Sequence, residues 1–110
     1  MAETTEQVEK VIGELRRGII VLAVLSRLSE PQYGYSLMQV LSQTGLDVEE
    51  GTLYPLLRRL EKRGLLESEW QVGESRPRRY YVISPLGKAV LAELVDEWDT
   101  IVSTMDGLLH

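Results

Sequence analysis

The sequence predicts a mostly helical α+β fold, because segments of helical periodicity surround one pair of short segments in which apolar and polar residues alternate. Three helical segments precede the alternating pair, and a long one follows it. The chain has 110 residues, which suits one domain that buries roughly 60 to 70% of its unfolded surface. We therefore expect one compact unit.

The composition is that of an ordinary soluble globular domain, with 44% hydrophobic and 26% charged residues. The sequence contains no cysteine, which excludes disulfides and thiolate chemistry and favours an intracellular compartment. Its first ten residues are polar and acidic, unlike a secretory signal, and its longest apolar run, residues 18–25, is too short to span a bilayer. We predict a cytoplasmic location and no membrane partner.

The first predicted helix runs from about Val8 to Leu28, where apolar side chains recur at spacings of three and four. These side chains are Val8, Val11, Ile12, Leu15, Ile19, Leu22 and Leu25. Residues 18–25 are apolar on every side of the helix. This part either contacts its own core and a second subunit, or forms a central core helix, and the pattern favours neither alternative.

A second helix is predicted from about residue 34 to 43, ended by the glycine that soon follows it. The next connection carries Asp47 three residues before Glu50, a capping-box-like start for a third helix. Because of Pro55, two starting points for the third helix are possible. The third helix begins near residue 51 or 52, or it begins at Asp47 and loses one backbone hydrogen bond at Pro55.

The third helix, predicted within GTLYPLLRRLEKRGLL (residues 51–66), has one apolar and one basic face. The apolar face consists of Leu53, Leu56, Leu57 and Leu60. The other side carries Tyr54, Pro55, Arg58, Arg59 and Lys62. Gly64 follows the last turn, where a left-handed cap is expected. Taken alone, the basic face suits either an acidic partner or a solvated surface helix.

Two alternating segments, residues 65–72 and 78–83, predict a β-hairpin with a turn at residues 73–77. The side chains expected on one face are Leu66, Trp70 and Val72 in the first strand and Tyr80 and Val82 in the second. We assign Trp70 to the core.

The charges are distributed unevenly along the chain. Of the 12 basic and 17 acidic residues, seven basic and four acidic ones lie between Gly51 and Tyr81, so this segment has a net charge of +3. The other five basic and thirteen acidic residues give the rest of the chain −8. The positive segment includes Arg76, Arg78 and Arg79 of the hairpin as well as the basic helix, and this asymmetry indicates a focused site for a polyanion.

Ser84 and Pro85 supply an N-cap and a first helical residue for a last helix of about twenty residues. The apolar residues of this helix follow a heptad pattern formed by Leu91, Leu94, Trp98, Ile101, Met105 and Leu108. Such a seam can lie along its own domain or against another subunit. Because about 30 Å of helix is longer than the small helix and hairpin unit, a second subunit is favoured.

This order of elements is that of a winged helix-turn-helix, in which the recognition helix enters the major groove and the hairpin contacts the backbone or the minor groove. Arg and Lys at helical spacing neutralise phosphates and reach guanine edges, and the hydroxyls of Thr52 and Tyr54 can add hydrogen bonds. We expect a winged helix-turn-helix DNA-binding part in residues 1–84 and a C-terminal dimerisation helix in residues 85–110.

Four stretches carry a family resemblance. They are YGYSLMQVL (33–41), GTLYPLLRRLEKRGLLES (51–68), RRYYVIS followed by proline and glycine (78–87), and EW (97–98). On these motifs the chain resembles the PadR family of bacterial and archaeal transcriptional regulators, and GTLYPLLRRLE is a specific signature of it. With a single helix after the hairpin, the chain is similar to the short-tailed subgroup. It departs from the family by having Glu49 and Glu50 where members often have Ser-Pro, and these carboxylates favour the helix N-terminus but oppose nearby phosphates.

The resemblance implies a homodimeric DNA-binding repressor whose first and last helices form the dimer interface, and some short-tailed members bind flat aromatic compounds there. The expected partners are double-stranded DNA with a pseudo-palindromic operator, a second copy of the chain, and a planar aromatic effector. The expected DNA-binding residues are Tyr33, Tyr35, Thr52, Tyr54, Pro55, Arg58, Arg59, Lys62, Arg76, Arg78 and Arg79. The expected dimer-interface residues are Ile19, Leu22, Leu91, Leu94, Trp98, Ile101, Val102, Met105 and Leu108.

Trp98 has two interpretations. A tryptophan on an apolar seam is most often part of a core. In a two-fold dimer, however, this residue lies near its own copy, and two indoles would form the walls of a flat effector pocket with Leu15 and Ile19 as its floor. Both interpretations stay open from the sequence.

The sequence predicts no enzyme, cofactor or metal site. The single histidine is the last residue, His110, where a flexible terminus is expected, and no acid and base pair is spaced for catalysis. The alternative to a DNA-binding regulator is a winged-helix domain that binds proteins or ligands but no operator. The net charge of −5 favours this alternative, because it is unusual for a protein that binds DNA strongly.

Overall fold

The computed structural model describes residues 1–73 and 76–110. Within them, the elements are α1 (Ala2–Ser26), β1 (Gln32–Tyr33), α2 (Gly34–Gln43), α3 (Glu50–Lys62), β2 (Leu66–Gln71), β3 (Arg78–Ile83) and α4 (Pro85–Leu109). The three strands form an antiparallel sheet in the order β1-β3-β2. These elements confirm a mostly helical winged helix-turn-helix with a long C-terminal helix.

The core lies where the end of α1, the helices α2 and α3, and one face of the sheet meet. The predicted apolar face of α3 is confirmed, since all four of its leucines are buried. Other buried side chains include Val24, Leu25, Leu28, Leu37, Leu41, Leu66, Tyr81 and Ile83. Because α3 buries its leucines here, its opposite side is left on the surface.

The observed helix boundaries agree with the predicted ones for α2 and differ from them for α1. The structure confirms α2 as predicted, and both Gly45 and Gly64 follow a helix with positive φ, 98° and 82°. The first helix begins at Ala2 and ends at Ser26, so the predicted range of residues 8–28 was too late at both ends. The first seven residues lack a clear apolar stripe, which is why periodicity missed them.

The start of α3 differs from the predicted capping box. Its N-cap is Glu49, which makes no side-chain hydrogen bond, while the carboxylate of Asp47 accepts a 2.7 Å hydrogen bond from the Ser42 hydroxyl. Asp47 therefore links the connection between α2 and α3 to the end of α2, and it does not cap α3. Pro55 lies beyond the first turn, so the helix gives up the backbone hydrogen bond to the Gly51 carbonyl.

The hairpin forms, but the predicted core face of β3 was wrong. Tyr81 and Ile83 are buried, whereas Tyr80 and Val82 are half-buried on the other face. A shift of one residue moves every side chain of a strand to the opposite face. The short strand β1, which the sequence did not predict, pairs with β3 through Gln32 and Tyr33. Residues 74 and 75 of the predicted turn lie outside the described residues.

The start of α4 confirms the predicted cap. The Ser84 hydroxyl accepts a 2.9 Å hydrogen bond from the Gly87 amide and donates a 2.6 Å hydrogen bond to the Gly64 carbonyl. A Cβ on Gly87 would overlap the Leu65 carbonyl, so the helix approaches the hairpin closely only because this residue is glycine. At 25 residues, α4 is longer than predicted. Over the described residues, no helix is long and apolar enough to cross a membrane.

Candidate nucleic-acid interface

The outer side of α3 presents its basic side chains to solvent. Arg58, Arg59 and Lys62 are exposed, and so is Thr52 in the first turn. Tyr54 and Pro55 are half-buried beside them. The helix thus offers exposed cations and the Thr52 hydroxyl on a side that the core does not cover.

A groove of about 760 Å³ lies between α3, the start of α2 and the hairpin. It brings together seven of the residues predicted to bind DNA, namely Tyr33, Tyr35, Tyr54, Arg58, Arg76, Arg78 and Arg79. The other described residues of its lining are Gly34, Glu50, Trp70, Pro77 and Tyr81. The other predicted residues, Thr52, Pro55, Arg59 and Lys62, lie on α3 outside this groove.

Aromatic rings build the wall of the groove next to β1. The Arg78 guanidinium lies 4.6 Å from the centroid of the Tyr33 ring, a cation–π distance. That ring also packs edge-on against Tyr80 at 5.4 Å and stacks with Tyr35 at 6.5 Å. A Cβ on Gly34 would overlap the Tyr54 ring, so the glycine lets α3 approach α2 here. Tyr33 therefore positions the cation of Arg78 instead of standing alone at the surface.

Arg79 is engaged within the fold. Its guanidinium forms a 3.1 Å ion pair with Glu61 at the end of α3 and donates a 2.9 Å hydrogen bond to the Ser68 hydroxyl. The Ser68 hydroxyl in turn donates to the Glu61 carboxylate. This network joins the hairpin to α3, and it gives Arg79 a structural role that the sequence did not reveal. DNA contact by Arg79 stays a prediction.

Trp70 was assigned to the core from the sequence, and this was wrong. Its side chain is 59% exposed, and Val72 beyond it is also exposed. Of the residues of β2, Leu66 is buried and Ser68 is half-buried, whereas Trp70 and Gln71 at its end are exposed. Trp70 pairs across the sheet with Arg79, whose guanidinium lies 5.6 Å from the indole centroid. This cation–π pair follows from the register of β2 against β3. The alternation of apolar and polar residues in the sequence does not give that register.

Tyr81 borders the groove from the core side. Burial raises the pKa of its phenol above the ordinary value of 10.0, and the nearby positive charge of Arg79 acts in the opposite direction. The Tyr81 hydroxyl therefore stays neutral at physiological pH and adds no charge to the groove.

A second, apolar groove of about 710 Å³ runs between α1 and α4. It is lined by Leu15, Gly18, Ile19, Val21, Leu22, Leu94, Glu97, Trp98, Ile101, Val102, Met105 and Asp106. The three residues predicted for an effector pocket, Leu15, Ile19 and Trp98, therefore line one surface. Of the residues predicted for a dimer interface, Leu91 and Leu108 lie outside this lining, and Leu91 is half-buried against the core.

The described residues bring no three potential metal ligands together into a cluster. The chemistry that the two grooves support is binding: one offers cations and aromatic rings, and the other offers apolar surface with Glu97 and Asp106 among its lining residues.

Known proteins resemble this chain in both sequence and structure. A family model described as the transcriptional regulator PadR-like family matches residues 21–93. The transcriptional regulator Rv3488 of Mycobacterium tuberculosis is 43% identical over 81 residues, which cover 73% of this chain and 76% of that protein.

Solved structures extend the similarity over the whole fold. A PadR family transcriptional regulator from Eggerthella lenta is 44% identical and superposes with a TM-score of 0.94 over 100% of this chain and 98% of its own. A PadR-like transcription factor from Bacteroides fragilis is 35% identical, with a TM-score of 0.77 over 90% of this chain and 98% of its own. The matched segment contains α2, α3 and the hairpin with its basic groove, and on this agreement of sequence and fold the chain belongs to the PadR-like family of transcriptional regulators.

Proposed function

We propose that this protein is a homodimeric repressor that binds a pseudo-palindromic DNA operator and releases it when a small aromatic compound binds. The observation that supports DNA binding most directly is the groove that unites Arg58 of α3 with Arg76 and Arg78 of the hairpin. These cations stand in a protein whose net charge is −5, so they create a local site for a polyanion. A protein with this function acts on the chromosome, so we propose that it is cytoplasmic.

The two basic elements divide the work of DNA recognition. Arg58 and Lys62 project from the exposed side of α3 and suit contacts with guanine edges in the major groove. Arg76 and Arg78 suit phosphates, because a hairpin beside the recognition helix reaches the adjacent backbone. In this proposal residues 1–84 bind DNA, and residues 85–110 form the helix that holds two copies together.

The apolar groove between α1 and α4 supports the dimer. Ile101 is 45% exposed, and Val102 and Met105 beside it are exposed as well. Apolar residues of α1, including Val11 and Leu15, are also exposed. A contiguous apolar surface of this kind is typical of a protein interface. A second copy would cover it, and two-fold symmetry would present both α3 helices to one side of the duplex.

Trp98 supports the effector part of the proposal. Its indole is 38% exposed in the apolar groove, next to Glu97. In a two-fold dimer, this indole and its copy would enclose a flat slot floored by Leu15 and Ile19. A planar cation would gain aromatic contact and the attraction of the carboxylates. It would alter DNA affinity to the extent that it prefers one dimer geometry over the other.

Selection of genomic fragments by the purified protein tests the proposed function. We expect a palindromic fragment with half-sites about one helical turn apart, and we expect the protein to reduce transcription from the adjoining promoter. A winged-helix module that binds proteins or ligands without an operator is the competing function, and the net charge of −5 favours it. Enrichment of no duplex would contradict operator binding and favour that alternative.

A further inference from the structure

Trp70 places a large apolar ring on the wall of a basic groove. The indole is 59% exposed and lines the groove together with Arg58 of α3 and Arg76 of the hairpin. The nearby Arg79 guanidinium lies 5.6 Å from the ring centroid, so the indole already has a cation as a neighbour. A ring of this size left in water gains free energy when a partner covers it.

We propose that Trp70 is a further DNA-contacting residue, whose indole packs against the deoxyribose of the strand that passes between α3 and the hairpin. This inference rests on the proposed function. The groove selects this occupant by its chemistry, since the described residues of its lining combine aromatic rings with four arginines and include one carboxylate, that of Glu50. A nucleic-acid strand likewise combines anionic phosphates with less polar sugars and bases.

A purely structural role for Trp70 predicts different behaviour. In that role the indole would shield the ion pair between Arg79 and Glu61. Its removal would then change DNA affinity only by changing the charge that Arg79 presents to a phosphate. The slope of log affinity against log salt would then fall by about 0.9 for each phosphate that the protein no longer neutralises. A direct contact with deoxyribose is not ionic, so its removal lowers affinity and leaves that slope unchanged.

Fluorescence anisotropy with a labelled duplex of random sequence, measured over a series of salt concentrations, separates the two roles. We expect Trp70→Ala to bind about tenfold more weakly with an unchanged slope, which corresponds to one apolar contact. Trp70→Phe should retain most of the affinity. Leu86→Ala is the matched control, because Leu86 is 54% exposed but does not line the groove. Urea unfolding of Trp70→Ala checks that the variant is folded.

Tryptophan emission gives a second readout, because DNA that covers the indole changes its surroundings. The chain contains two tryptophans, so Trp70→Phe identifies which one responds to DNA. We expect saturating duplex to change the emission of the wild-type chain and to leave that of Trp70→Phe unchanged, while anisotropy still reports binding by both. If the wild-type chain binds duplex without a change in emission, the contact is refuted. A smaller salt slope in Trp70→Ala than in the wild-type chain would refute it as well. Neither result contradicts the proposed function.

Two other outcomes would also overturn the inference. If the wild-type chain binds no duplex, the proposed function fails and the inference fails with it. If a planar dye binds in the groove, so that Trp70→Phe abolishes dye binding and Trp98→Ala does not, and if Trp70→Ala keeps the wild-type affinity for duplex, the groove is a small-molecule site.

Discussion

The Glu61 carboxylate and the Arg79 guanidinium lie 3.1 Å apart and join the end of α3 to the hairpin. Both side chains are partly exposed, 27% and 39%, so solvent screens their attraction and we expect them to stabilise the fold by about 0.5–1 kcal/mol. A double-mutant cycle with Glu61→Ala and Arg79→Ala, measured by urea unfolding, gives this coupling free energy.

The pair formed by Lys10 and Glu6 is the matched control for this cycle. Its atoms are 3.5 Å apart and its side chains are about two-thirds exposed, 65% and 67%. At this spacing of four residues along a helix we expect only about 0.2–0.5 kcal/mol. A coupling between Glu61 and Arg79 no larger than that of the control would show that the network does not hold the hairpin in place.

The proposed dimer predicts a specific effect of charge in the apolar groove. Ile101→Asp would bury an unpaired carboxylate at a cost of several kcal/mol, so sedimentation should show monomer or aggregate instead of dimer. Thr100→Asp adds the same charge one residue away, at an exposed position outside the groove lining, and should remain dimeric. A wild-type chain that sediments as a monomer at micromolar concentration would contradict the proposal.

The proposed effector slot predicts binding of planar cationic dyes. Such dyes should quench tryptophan fluorescence and release bound DNA, because they stack on the paired Trp98 rings and favour one dimer geometry. We expect Trp98→Ala to abolish quenching and Trp70→Phe to retain it. Undiminished dye binding by a dimeric Trp98→Ala variant would falsify the slot.

Local patterns in the sequence predicted the parts of the fold that local patterns control. The leucine face of α3 follows from helical spacing, and the cap at Ser84 follows from a serine and proline at the right positions. The failures concern the strands. The face of β3 was displaced by one residue and Trp70 was placed in the core, because both depend on how the sheet meets the helices.

The candidate site shows the same limit. Its members on α3 could be identified from the sequence, since one helix carries them at regular spacing. The partner of Arg79 could not be identified from the sequence. Glu61 is 18 residues away and contacts Arg79 only because of the register of the hairpin. The cation–π contact between Arg78 and Tyr33 likewise depends on β1, a strand of two residues that exists only through its pairing with β3.

The division of DNA contacts predicts two classes of variant. Arg58→Ala and Lys62→Ala should each weaken binding to the selected operator more than binding to random duplex, by about 1–3 kcal/mol if they contact bases. Replacing Arg76, Arg78 and Arg79 together should weaken binding to every sequence. Arg17→Ala, which removes an exposed charge on α1, is the control and should change neither. Anisotropy with both duplexes measures the difference.

The salt dependence of operator binding tests the central proposal most directly. With three phosphate contacts from each subunit, and therefore six from the dimer, the slope of log affinity against log salt should be about −5. The slope should be reduced when Arg76 and Arg78 are replaced by alanine. A slope near −5 in the wild-type chain is the result that we predict, and an affinity that stays flat as salt rises would contradict DNA binding through this basic groove.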